Sequence, residues 1–175
     1  MRLIGLFAAV ALAACVSATQ AAEHPEDPIY QRSVMADQAA AYDAVYHSLE
    51  ESRFWVIAEP NIGKSLAKNE ERWGENYNRN GYEAIRSLVF CSPWYANELS
   101  NLDPRALAMC PFSATMLYRE GQATVLFERP TTVVTEGPAK ELVARLEAAV
   151  VEALDRAIAE LSAGEGHADS EPAAD

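Results

Sequence analysis

Leu88-Val-Phe-Cys-Ser-Pro-Trp94 reads as a strand that ends at Cys91 and turns directly into a helix. Ser92 is a natural N-cap, and Pro93 suits the first helical position, where a missing N–H costs nothing. Further along come Leu102-Asp-Pro104 and Met109-Cys-Pro-Phe112, and then two alternating runs, Ser113–Arg119 and Ala123–Glu128. In the first, Ala114, Met116 and Tyr118 share one side; in the second, Val125 and Phe127 do. Glu120-Gly121-Gln122 between them predicts a hairpin, and so an antiparallel sheet.

The flanking sequence supplies the helices. Asp37 caps a run in which Tyr42, Val45, Tyr46 and Leu49 fall on one helical face. Pro138 opens a long helix with an apolar stripe of Leu142, Leu146, Val150, Ala153, Leu154, Ile158 and Leu161 and a charged opposite side. Phe54-Trp-Val-Ile57 is a continuous apolar run ended by Pro60, expected as a strand buried on both faces. Ile62–Trp73 reads as helix, Gly74–Gly81 as a polar, Asn-rich loop, and Ile85–Cys91 as the next strand. A hairpin, with helices that each carry one apolar stripe, excludes an all-parallel doubly wound sheet. It predicts an α+β two-layer sandwich, an antiparallel sheet with helices on one face.

The order of these motifs, from about Tyr30 to Leu161, resembles the small bacterial and archaeal family known as domain of unknown function 302 (DUF302). That family runs strand, Phe-(Gly/Cys)-Asn-Pro, short helix, Asp-Pro, Leu-Pro-Cys and hairpin. Here Ser92 stands where the family has Asn, Met109-Cys110-Pro111 reorders its Leu-Pro-Cys, and Asn69–Gly81 looks like an insertion. The resemblance implies the same two-layer architecture and no settled activity. It also implies that Cys91, at the strand–helix junction, lies close to Cys110, just before the hairpin.

The ends read differently from the middle. Met1-Arg2 followed by the apolar stretch Leu3–Ala14 is a signal for export, too short for a membrane span of about 20 residues. Two cleavage readings compete. Leu12-Ala13-Ala14-Cys15 resembles a lipobox, with Cys15 lipidated after removal of residues 1–14; otherwise residues 1–21 are an ordinary signal peptide. Residues 22–36 are expected as a flexible lead, 37–163 as the folded domain and 164–175 as a disordered acidic tail. The expected location is the periplasm, with membrane association only through a lipid on Cys15, as an outer-membrane anchor. Loss of the signal removes Arg2 and no acid, leaving 13 bases against 26 acids and a formal charge of −13. Such a surface repels phosphate backbones, which excludes nucleic acid as a natural partner.

Candidate chemistry is sparse. Cys91 and Cys110 are the two cysteines of the domain, and export makes a disulfide a natural outcome. Two buried thiols, or a redox-active or metal-binding pair, are the other readings; helix N-terminal amides beside Cys91 would favour its thiolate. The expectation is a shielded pair. His47 is expected at the solvent edge of its helix, and no second histidine accompanies it in the domain, which disfavours a His-based zinc site. Cleavage after Ala21 would expose Ala22-Glu23-His24, a Cu(II)-chelating start. No nucleophile elbow, P-loop, dinucleotide fingerprint or metalloprotease helix is present, so no cofactor and no catalytic residue is assigned. Trp73, Tyr77, Tyr82, Trp94 and Tyr95 are candidate ligand-binding aromatics. The leading expectation is therefore non-enzymatic binding of a small molecule or periplasmic protein through those aromatics. The alternative is a thiol- or metal-handling accessory protein using Cys91 and Cys110.

Overall fold

The computed structural model describes residues 27–168; the signal segment, Cys15, His24 and the last residues of the tail lie outside them. Five strands, β1 (Ile29–Met35), β2 (Trp55–Ala58), β3 (Ala84–Cys91), β4 (Phe112–Arg119) and β5 (Gln122–Glu128), form one sheet. Their order is β1-β5-β4-β3-β2, and every neighbouring pair is antiparallel. Two helices do most of the covering, α1 (Gln38–Glu51) and α5 (Lys140–Ala168); α2 (Ile62–Ala67), α3 (Glu70–Trp73) and α4 (Pro93–Leu102) are shorter.

Alternation along the strands decides which face is covered. Tyr30, Val34, Leu88, Phe90, Ala114, Met116, Val125 and Phe127 point to one side and are buried, while Gln31, Ser33, Gln122 and Glu128 do not. Tyr42, Val45 and Leu49 of α1 and Leu142, Leu146, Val150 and Leu154 of α5 enter the same apolar cluster. Both long helices thus lie on one face of the sheet, as each one's single apolar stripe requires. The fold is an α+β two-layer sandwich.

Polar contacts then fix the layers. Asp37 caps α1 by accepting from Ala39 N at 2.9 Å and Ala40 N at 3.1 Å. The Ser48 hydroxyl donates to the Ala153 carbonyl at 2.6 Å, and Arg156 donates to the Ser48 carbonyl at 3.0 Å and to Ser52 Oγ at 2.7 Å. Glu147 of α5 accepts from Arg129 at 3.0 Å and from the backbone and hydroxyl of Thr131, at 2.9 and 2.6 Å. The β4–β5 hairpin turns on Glu120 and Gly121 alone, at φ 53° and 76°. That pair of left-handed residues is what a two-residue turn between twisted strands demands.

Four sequence-based boundaries change. Residues 22–36 do not form a flexible lead throughout, because Ile29–Met35 is an edge strand paired with β5 from Ile29↔Glu128 to Met35↔Gln122. Only Tyr30 and Val34 alternate inward, with Arg32 between them, so the pattern is faint. β2 is not buried on both faces: it is the other edge strand, and Trp55 and Ile57 are 47% and 61% exposed. The helix expected over 62–73 breaks at Lys68 and Asn69 into α2 and α3. Finally, α5 starts at Lys140, after Gly137 (φ 94°) and Pro138, and runs past residue 163 to Ala168.

Candidate functional site

β3 stops at Cys91 because Ser92-Pro93 follows: proline has no N–H for the ladder and its fixed φ suits the first residue of α4. Ser92 has the extended backbone of a cap but makes no side-chain cap bond. α4 ends at Leu102, and Asp103 closes it while starting a 3-10 turn over Pro104–Met109. The Asp103 N–H donates to the Leu99 carbonyl at 2.9 Å, and its carboxylate accepts from Arg105 N at 3.1 Å. The Arg105 guanidinium also donates to Asp103, at 3.2 and 3.1 Å, and holds that carboxyl below its ordinary range. Cys110 N–H then donates to the Leu107 carbonyl at 3.0 Å, and a cis peptide bond joins Cys110 to Pro111.

The chain returns to the sheet with Phe112 opposite Phe90, so the Cys110-Pro111 segment that leads into β4 comes back beside Cys91, which ends β3. The outcome is a meeting of thiols: Cys91 Sγ and Cys110 Sγ are 2.8 Å apart across a sequence separation of 19. A disulfide bond would be about 2.05 Å; both cysteines are free. Neither is shielded, since both are half-buried, which corrects the expectation of a shielded pair and of a disulfide in this structure. They are not equivalent. Cys110 packs against the apolar cluster. Burial, then its hydrogen bond to Cys91, then the charge of Cys91 push the Cys110 thiol up from 9.0 to about 12. The protonated form of Cys110 is thereby favoured, and in the contact with Cys91 either sulfur can donate. Cys91 sits opposite Trp55 in the β2–β3 ladder, at the start of α4.

The five candidate aromatics do not form one site. Tyr77 and Tyr82 line a cleft of about 310 Å³ with Asn61, Lys64 and Asn78. Its loop is closed by Asn78, which donates to the Tyr82 carbonyl at 2.8 Å and accepts from Tyr82 N at 3.0 Å. Trp73 is 39% exposed and outside that cleft. Trp94 and Tyr95 lie at the other end of β3, about 24 Å away along an eight-residue strand. Tyr95 stacks on the buried Phe54 with ring centroids 5.8 Å apart, so it serves the core; Trp94 meets Tyr95 edge-on and is 57% exposed.

Other neighbours of the thiols went unread in the sequence. Trp55 and Ile57 make an exposed apolar ledge on the β2 side. On the β5 side a cleft of about 370 Å³ is lined by Met109, Pro111, Ser113, Glu128, Pro130 and Val133. The signal for the ledge was available: an apolar run next to a Pro can be an edge strand as well as a central one. Arg86 is a second omission, the one charged residue of β3. Its guanidinium lies 3.6 Å over the Tyr42 ring and 3.7 Å from Glu59, to which Tyr42 donates at 2.6 Å. Burial and Glu59 push the Tyr42 phenol well up, and the group reads as a structural clamp of α1 on the sheet.

His47 is exposed, beside Tyr46, as expected for a solvent-edge histidine. Among the described residues no group of three or more His, Cys, Asp or Glu side chains could hold a metal, and no helix is long and apolar enough to cross a membrane.

No functionally curated protein matches the chain. A crystal structure of an uncharacterized conserved DUF302 protein from Bacillus stearothermophilus matches in fold, with a TM-score of 0.63 and 19% identity over 75% of this chain and 98% of that one. The family model "Domain of unknown function DUF302" matches residues 30–161, which span the sandwich from β1 into α5 and include both cysteines; the chain belongs to the DUF302 family.

Proposed function

We propose that this is an exported, periplasmic accessory domain whose Cys91–Cys110 dithiol exchanges with disulfides. One observation carries the reading: two free, half-exposed thiols with their sulfurs 2.8 Å apart at the end of a sheet. A structural staple is normally shielded, whereas exposed cysteine pairs are the labile and regulatory ones. Cys91 is the attacking sulfur, because it stands between the end of β3 and the N-terminus of α4, whereas burial and Cys91 itself favour the protonated form of Cys110. Cys110 resolves. In the mixed disulfide Cys91 no longer carries charge, so two of the three influences that hold the proton on Cys110 disappear when its turn comes.

Atoms and electrons balance without a further reagent. Cys91 thiolate attacks one sulfur of R–S–S–R′, R′–S⁻ leaves and takes a proton, and Cys110 then displaces R–SH from Cys91. The substrate gains two electrons and two protons, and the protein ends as the Cys91–Cys110 disulfide. The test is thiol counting on mature protein equilibrated in glutathione buffers. The expected result is reversible gain and loss of both thiols with a midpoint above about −300 mV, the range below which structural disulfides fall. A pair that stays reduced, or stays oxidised, across all buffers overturns the reading.

Export rests on the N-terminal signal, and anchoring rests on Leu12-Ala13-Ala14-Cys15. Intact mass of the cell-derived protein, with an acylated Cys15 expected, tests it; an unmodified start at Ala22 overturns the lipid anchor. A second reading, binding of a small molecule, is favoured by the cleft at Tyr77 and Tyr82, whose roughly 310 Å³ reaches the lower end of ligand-site volumes.

A further inference from the structure

We infer that the natural exchange partner is a polypeptide disulfide carried on an extended, apolar segment, rather than a small soluble thiol; this rests on the dithiol reading. The arrangement around the sulfurs supplies the argument. Cys91 ends β3 and Cys110 lies two residues before the start of β4, in the middle of the sheet's end. On one side, at β2, stand Trp55 and Ile57, with the exposed Trp94 opening α4. On the other side is the cleft of about 370 Å³ framed by Met109, Pro111, Pro130 and Val133. Apolar surface therefore flanks the thiols on both sides. From β2 to β5 the distance is about 14 Å at ~4.8 Å per strand, the length of about four residues of extended chain.

A glutathione-sized disulfide would engage one flank; a chain crossing the thiols engages both. Exposed tryptophans suit that role, because they offer wide, rigid contact area at small entropic cost. Charge agrees. The protein is strongly acidic, with a formal net charge of −12, while the side chains named on the two flanks include only one charged residue, Glu128. A neutral or basic apolar segment is accepted and an acidic one repelled. Pairing along the free edge of β2 is not the mode. Glu50 already accepts from the Val56 N–H at 2.8 Å, and a register irregularity interrupts the strand between Val56 and Ala58. Both features blunt a sheet edge.

The experiment compares two probes on the reduced mature protein: oxidised glutathione, and a linear peptide of about eight residues, apolar around a central cysteine and disulfide-linked to its own copy. The apolar peptide is expected to react at least about tenfold faster, the effect of burying one or two apolar side chains. A peptide with Gly and Ser around its cysteine should lose that advantage. The double variant Trp55→Ser, Trp94→Ser should bring the ratio of peptide to glutathione rates close to one. In Cys110→Ser, the mixed disulfide with the apolar peptide should accumulate on Cys91. Equal rates for the peptide and glutathione, or a ratio unchanged in the double variant, overturn the partner while the dithiol reading stands. Self-association abolished by the same two substitutions would assign the ledge to a second copy of the chain and overturn it too. No reaction with either probe overturns the dithiol reading and the partner together.

Discussion

The helix-covered face and the thiol end of the same sheet are built on opposite terms. Under α1 and α5 the side chains close up: Glu147 meets Arg129 and Thr131, Ser48 meets Ala153, and Arg156 spans the two helices. At the thiol end, tryptophan is left in water and two sulfurs face each other without a disulfide bond. The first region is over-determined by packing and hydrogen bonds; the second is held by a cap, a turn and a proline. On the proposed function, stability belongs to one and reactivity to the other, so substitutions should separate them.

The largest separation is expected at Arg129→Ala. It leaves Glu147 in the interior without its cation, at a cost of about 3 kcal/mol. Urea unfolding should show that loss, while the number of titratable thiols in the folded protein stays the same. Replacing both partners by apolar residues (Arg129→Met with Glu147→Leu) should restore most of it, because the desolvation cost goes with the charges. A loss below about 1 kcal/mol for the single variant would mean that the covered face is not where the stability resides.

Oxidation should move stability less. A strain-free bridge closing this loop would contribute about 3 kcal/mol in the chain-entropy picture. An exchangeable pair, whose reduced form is also well accommodated, should contribute no more than about 1 kcal/mol. Unfolding of the oxidised and reduced forms in parallel measures the difference. The full 3 kcal/mol would return the cysteines to the role of a staple.

At the tyrosine end, Asn78→Ala removes both side-chain hydrogen bonds that close the 78–82 loop and puts alanine at φ 39°. The expected cost is about 1 kcal/mol. The rate of thiol labelling at Cys91 should not change, since the length of β3 separates the two ends. A change in labelling would show that the ends communicate.

How much of this was legible in the sequence follows from how local each signal is. The stripe of α5, the cap at Asp37 and the Glu120-Gly121 turn are short-range patterns, and each predicted its element. β1 was hidden because its inward residues are only Tyr30 and Val34, and its other partner is solvent. The exposure of Trp55 and Ile57 follows from the strand order β1-β5-β4-β3-β2, and the neighbouring Pro60 was the one local hint of an edge strand. The convergence of Cys91 and Cys110 was read from family resemblance, and the register Phe90↔Phe112 gives its physical cause. Their half-exposure was not readable, because it depends on β2 being a short edge strand. The five aromatics were grouped by chemistry alone; β3 parts them into Tyr77 and Tyr82 at one end and Trp94 and Tyr95 at the other.

The smallest expected effect bears most directly on the chemistry. Cys110 is raised from 9.0 to about 12 by burial first and by Cys91 second, through a hydrogen bond and through charge. Because the folded chain holds this proton more tightly than the unfolded one, its contribution to stability is fully present below about pH 9 and is lost as pH rises towards about 12. Cys91→Ser takes away the charge and leaves burial in place. The Cys110 titration, followed by thiolate absorbance, should therefore move down from about 12 yet stay above 9.0. The alkaline loss of stability should begin at the same pH and be smaller in extent. A midpoint that remains near 12 in the variant would mean that burial alone holds the proton. Cys110 would then be no better placed to resolve a mixed disulfide than to remain a buried thiol, and the division of labour between the two sulfurs would fail.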